Sequence, residues 1–191
     1  MNSFQDTLKK YLDIFAGQEM YFVNDTRNLA LFQKNPQNTN ADDIRTKISA
    51  IRDDPGLQQL GNTDELVSHI LSLKIDDRLM RGDLTVVEDI AHATIQGKPT
   101  YLLHFASVYC NYHRPEVFPI YSDQYLAFYK RYIVEHKLPL KPEGLNTYDL
   151  YTKALNDLVA RLGLKGKMNY LQLRKFAWLY AEKVLAESNG S

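Results

Sequence analysis

The chain has 191 residues, 45% hydrophobic and 24% charged, with one cysteine and a formal net charge of zero. That length and balance suit a single soluble globular domain with a core of its own, with no run long enough to span a membrane and no internal disulfide. The zero hides an asymmetry: residues 1–96 carry 10 Lys+Arg against 15 Asp+Glu, and residues 97–191 carry 13 against 8.

Nearly every segment reads at helical period. Phe4, Leu8, Tyr11, Leu12 and Phe15 form a first stripe behind Ser3, closed by Gly17. Asn24 or Asp25 caps a short helix carrying Leu29 and Phe32, which stops before Asn35-Pro36 and a polar linker. Ile44, Ile48 and Ile51 mark a third helix, ended by Asp54-Pro55-Gly56. Thr63 caps a fourth with Leu66, Ile70 and Leu73. Asp83 caps a fifth through Val86, Val87, Ile90 and Ala91, broken at Gly97-Lys98-Pro99. Helix 101–113 sets Tyr101, Phe105, Val108, Tyr109 and Tyr112 on one face. A turn bracketed by Pro115 and Pro119 leads into helix 122–137 with Leu126, Tyr129 and Ile133. Leu150, Ala154, Leu158 and Leu162 mark the next helix, closed by Gly163, and the last runs from about Asn169 to Glu187. Strand alternation is weak, with Tyr21-Phe22-Val23 the one short candidate. The expectation is an all-α, single globular multi-helix domain over 1–191. An acidic helical lobe (1–96) and a basic lobe (97–191) would flank a central cleft. The N-terminus lacks a signal-peptide pattern, which points to a cytoplasmic protein.

The richest passage is Tyr101 to Tyr125, with two histidines, two prolines and Cys110. Extended to Tyr132, it holds seven of the 13 tyrosines and three of the eight phenylalanines. Aromatic rings with polar tips build cores and line clefts alike. A metal site finds too few ligands: Asp89 and His92 are three apart, but no second such pair exists for a di-metal bundle. Cys110 falls late in its helix, where the dipole disfavours a thiolate, and reads as a small buried residue. No phosphate-binding glycine loop or serine elbow is present. No cofactor is expected, and no metal. The Pro-bracketed turn is the best candidate, because it presents the residues after it at a helix N-terminus, with Ser122 or Asp123 as cap. The bland alternative is a rigid corner with Phe118 and Ile120 plugging the core.

The run Phe105-Ala106-Ser107, Tyr109-Cys110, Tyr112-His113, Pro115-Glu116 and Phe118-Pro119-Ile120-Tyr121 resembles a motif of a poorly characterised bacterial family. Gly82-Asp83-Leu84 and Val87-Glu88 with Ile90-Ala91 are similar to it upstream. A more distant similarity is to the helix-hairpin-helix base-excision DNA glycosylases, in which a helix runs into a Pro-Val-Asp turn whose aspartate supports base removal. That resemblance implies Asp123 as the catalytic carboxylate. Residues 97–101 read GKPTY where that superfamily has a Gly-rich hairpin, Val108 stands where the bacterial motif has lysine, and Ser122-Asp123 reverses its order.

Base removal requires an aromatic-walled pocket for a flipped nucleotide and a carboxylate against positive charge on the sugar. Tyr109, Tyr112, His113, Tyr121 and Tyr125 are the candidate substrate-binding residues. Arg114, Lys130, Arg131, Lys165, Lys167, Arg174 and Lys175 are the candidate phosphate contacts. The leading expectation is a DNA-associated protein of glycosylase-like architecture, active or catalytically silent, in repair or phage–host conflict. The alternative is a non-enzymatic module with an aromatic helical core that binds a protein partner. A third reading is a small-molecule or nucleotide hydrolase with His113 as base.

Overall fold

The computed structural model describes residues 23–54, 56–58, 60–61, 63–122, 147–161 and 163–175, and single positions 13, 126, 129, 130, 133, 145 and 177. The expected first helix lies outside them, apart from Asp13. Seven α-helices are bounded among the described residues: α1 Val23–Lys34, α2 Ala41–Ile51, α3 Thr63–Leu73, α4 Asp76–Arg81, α5 Thr85–Ala91, α6 Leu103–His113 and α7 Tyr148–Arg161. Residues 126, 129, 130 and 133 are also helical, as are 170–175.

Local chemistry sets the boundaries. The Asn40 side chain accepts from the Asp42 amide at 2.8 Å and starts α2. Its face Ile44, Ile48 and Ile51 is wholly buried, and each such side chain contributes about 1.5–3 kcal/mol. α3 begins with Thr63 as its first helical residue, one position inside the cap that the sequence predicts. Asp83 Oδ1 accepts from both the amide and hydroxyl of Thr85 and opens α5. The short α4 is not signalled by periodicity. It buries Leu79 and ends at Gly82 with φ 71°.

The all-α expectation needs one correction. A two-stranded antiparallel sheet, β1 His92–Ile95 with β2 Lys98–Tyr101, stands between α5 and α6. Gln96 and Gly97 both take positive φ, 52° and 71°, the mark of a type I′ hairpin turn. The Leu102 amide donates to Ala91 O, and the register pairs Thr94 with Pro99. Pro99 therefore falls at a non-hydrogen-bonded pair, where its missing N–H costs nothing. Tyr101 accordingly sits on a strand, 50% exposed, and not on the buried face of a helix. Val23, the end of the strand candidate, opens α1.

One hydrophobic cluster runs from Phe32 through α2, α3, α5 and α6 to α7 and Leu173, across both charge halves. α6 is its axis. Phe105 to Tyr112 are all buried, with α1 and α2 on one side and α5 on another. A helix buried all round must partner every polar tip it carries. Those partners define the site.

Candidate functional site

Four side chains of α6, Ser107, Tyr109, Asn111 and Tyr112, each hold a different piece of chain. Tyr109 donates to Asn38 Oδ1 at 2.5 Å, and Lys47 Nζ donates to the same oxygen at 2.7 Å and to Gln37 O at 2.8 Å. Asn38 in turn donates its amide and its side chain to the Asp76 carboxylate. The linker before α2 is thus locked by one buried asparagine. Lys47 is fully buried, its ammonium 5.7 Å from the Phe32 ring centre and 6.0 Å from that of Tyr109. Burial lowers its pKa to about 8. His113 packs against Phe32 and Tyr109, with ring centres 4.9 and 5.3 Å away. Its buried Nε2 has no hydrogen-bond partner among the described residues. Burial, reinforced by the Lys47 charge, lowers its pKa to about 3.

Tyr112 donates to Asp25 Oδ1 at 2.8 Å, inside a buried ionic cluster. Arg174 bonds Asp54 and lies 3.7 Å from Asp25, and Lys175 lies 3.3 Å from Asp25. His104 meets the other Asp54 oxygen at 3.4 Å. Burial opposes ionisation of Asp54, but the His104 hydrogen bond and the Arg174 guanidinium outweigh it and hold the carboxyl below its ordinary value. Acids of the N-terminal half here neutralise bases of the C-terminal half, so internal pairing uses up part of the charge asymmetry.

The remaining polar groups of α6, with two tyrosines of α7, grip the turn. Asn111 Nδ2 donates to Phe118 O at 2.7 Å. Tyr148 donates to Pro119 O and Tyr151 to Ile120 O, each at 2.8 Å. Ser107 Oγ accepts from the Tyr121 amide at 3.0 Å. The Tyr170 amide donates to Pro115 O at 2.9 Å, and Arg114 donates to Met80 O at 2.5 Å. Ser122 O accepts from the Leu126 amide at 2.9 Å. The carbonyls of residues 118–120 and 122 each have a donor, so the turn is held along its length by buried hydrogen bonds.

The sequence-predicted site residues fall into three groups. Tyr109 and Tyr112 are core residues with their hydroxyls committed inward, which corrects the expectation that they wall an open pocket. Arg174 is buried in its ion pairs, and Lys175 is half-buried beside Asp25. Neither is presented as a surface phosphate contact. Arg114 is tied to Glu116 and Met80 O. Tyr121 is half-buried and meets Tyr151 edge-on at 5.1 Å, and Lys130 is half-buried. Lys165 and Lys167 are exposed. Asp123, Tyr125 and Arg131 lie outside the described residues. Cys110 is buried, which raises its thiol pKa, as the inert reading expects. Sequence reasoning missed Asn111, Tyr148 and Tyr151, the residues that hold the turn. Asn111 had a signal, an amide four residues from Ser107 on an otherwise apolar helix.

The family model HI_0787_N, described as an N-terminal domain, matches residues 7–117, more than half of the chain. The chain belongs to this family. A Haemophilus influenzae relative described as an uncharacterized protein is 30% identical over 127 residues, 64% of this chain and 59% of its own length. The HI_0787_N match takes in α1 to α6 and the first half of the turn, and a poorly characterised bacterial family is what the sequence led us to expect. The chain thus spans 59% of the curated relative it matches. No solved structure matches it. No described helix is long and apolar enough to cross a membrane.

Proposed function

We propose that the chain is a DNA-associated protein of the helical base-excision glycosylase type, with the turn 115–122 forming the rigid edge of its site. The observation that carries the reading is the grip on that turn. Asn111, Tyr148 and Tyr151 each spend a buried donor on one of three successive carbonyls, Phe118, Pro119 and Ile120. A reactive group must be held within about 0.5 Å of its productive position, and a loop clamped this way holds the chain up to Ser122 with little freedom; the nominated carboxylate, Asp123, is the next residue in the sequence. A carboxylate there would stabilise positive charge developing on a sugar as its base departs. Lys165 and Lys167, exposed beside two positive-φ glycines, are the phosphate contacts that the described residues offer at the surface.

Fluorescence anisotropy of labelled duplex and single-stranded DNA across a salt series tests the association. Binding should weaken steeply with salt, and Lys165→Glu with Lys167→Glu should lower the log–log slope by about 2. Absence of binding at low ionic strength would reject the proposal.

A second reading, a protein-interaction module, is favoured by one set of observations. Tyr109, Tyr112 and Arg174, three of the nominated contacts, face inward. On that reading DNA does not bind at any salt, and the grip on the turn serves the core alone.

A further inference from the structure

Away from the turn, α3 and β1 border an open groove of about 1050 Å³, counting the solvent at its mouth. Two histidines line it, and backbone carbonyls of α5 hold both. His69 Nε2 lies 2.9 Å from Asp89 O, and His92 Nδ1 lies 2.8 Å from Glu88 O. A carbonyl oxygen can only accept, so each of those ring nitrogens carries a proton. In the neutral imidazole the opposite nitrogen, Nδ1 of His69 and Nε2 of His92, is then an acceptor. The His92 ring is further held by Tyr101, 4.8 Å away, whose hydroxyl donates to Glu88 at 3.0 Å.

The rest of the lining has the same polarity. Ser72 donates its proton to His69 O at 2.7 Å, which leaves its oxygen as an acceptor. Glu65 gives one oxygen to the Gln96 amide at 2.8 Å, and Asp64 adds a second carboxylate, paired with Arg45 at 3.0 Å. No lysine or arginine is among the described residues lining the groove. Acceptors on both sides, with the Glu65 carboxylate and an Asp64 carboxylate shared with Arg45 on the α3 side, match a ligand that is positive and rich in N–H donors.

We propose that this groove binds a guanidinium or alkylammonium cation, held by the two locked imidazoles and the Asp64–Glu65 carboxylates. The cation can belong to a free amine or to a basic side chain of a peptide. The site is separate from the turn and does not depend on DNA association.

The test tracks the ring resonances of His69 and His92 by NMR at low salt. The full chain is titrated with N-acetylarginine amide, spermidine and a hexa-arginine peptide, with N-acetylcitrulline amide as the uncharged control. At least one cationic probe should shift both rings and saturate, and the control should leave them in place. Saturation by the small cations assigns the groove to a free amine, and saturation by the peptide alone assigns it to a basic segment. Glu65→Gln, which keeps the oxygen facing Gln96, and His92→Gln at an exposed ring should each weaken binding about tenfold, with unchanged melting temperature. The proposal is overturned if no cation moves either ring, if the citrulline control binds as tightly, or if both variants bind like the parent chain.

Discussion

His113 and Lys47 lie on the same Phe32–Tyr109 aromatic pair, and each has its pKa lowered by burial. The pH consequences have opposite signs. The folded chain resists protonating His113 down to about pH 3, whereas an unfolded histidine takes its proton near 6.5. Stability is therefore fully present above 6.5 and falls as the pH drops below it, by about 2 kcal/mol at pH 5. His113→Phe, which gives up no hydrogen bond at Nε2, should flatten urea-denaturation stability between pH 7 and pH 5. Lys47 releases its proton near pH 8 in the folded chain but near 10.4 when unfolded. Stability should rise by about 2 kcal/mol between pH 7 and pH 10, and Lys47→Met should remove that rise. A signal for the buried lysine was present in the sequence. Position 47 shares the face of Ile44, Ile48 and Ile51, and a lysine on an apolar face is either snorkelling or partnered. What completes its site, Asn38 and Tyr109, lies too far along the chain for periodicity to indicate.

Among the elements, α2, α3, α5 and α7 were legible because apolar residues at helical spacing coincide with capping side chains or breakers. The hairpin was not. Its strands are four residues each, they lack apolar alternation, and Pro99 argued against pairing. Thr94-Ile95 and Thr100-Tyr101 around Gln96-Gly97 were the available signal, β-formers about a tight turn. α4 was missed because six residues with one buried leucine leave no period to read. Its end matters to the turn. Gly82 has φ 71°, and a Cβ there would lie 3.0 Å from Val117 Cγ1. Gly82→Ala should therefore cost about 1–2 kcal/mol, and Val117→Ala in the same chain should recover the steric part, measured by thermal unfolding. Tyr148→Phe and Tyr151→Phe each strip a donor from a buried carbonyl of the turn. Each should cost about 1–2 kcal/mol and hasten amide exchange around residues 118–122 more than elsewhere.

For the molecule as a whole, the sequence showed two oppositely charged halves but not how they meet. Asp25, Asp54, Arg174 and Lys175 bring them together across 120 residues of chain at the Arg174–Asp54 contact. Arg174→Leu leaves two buried carboxylates with a partner lost and should cost about 3–5 kcal/mol, read from the shift in denaturation midpoint. The same pairing removes Arg174 from any role on DNA, and the core removes Tyr109 and Tyr112 from any pocket wall. On the proposed reading, the functional weight moves to the clamped turn and to Asp123, the carboxylate that follows it in sequence. The decisive measurement is base release from duplex DNA carrying single modified or mismatched bases, run on the parent chain and on Asp123→Asn at matched melting temperature. The parent chain should release base and Asp123→Asn should not. Equal release by both, or none from either across the whole substrate panel, would contradict a glycosylase-type site at this turn.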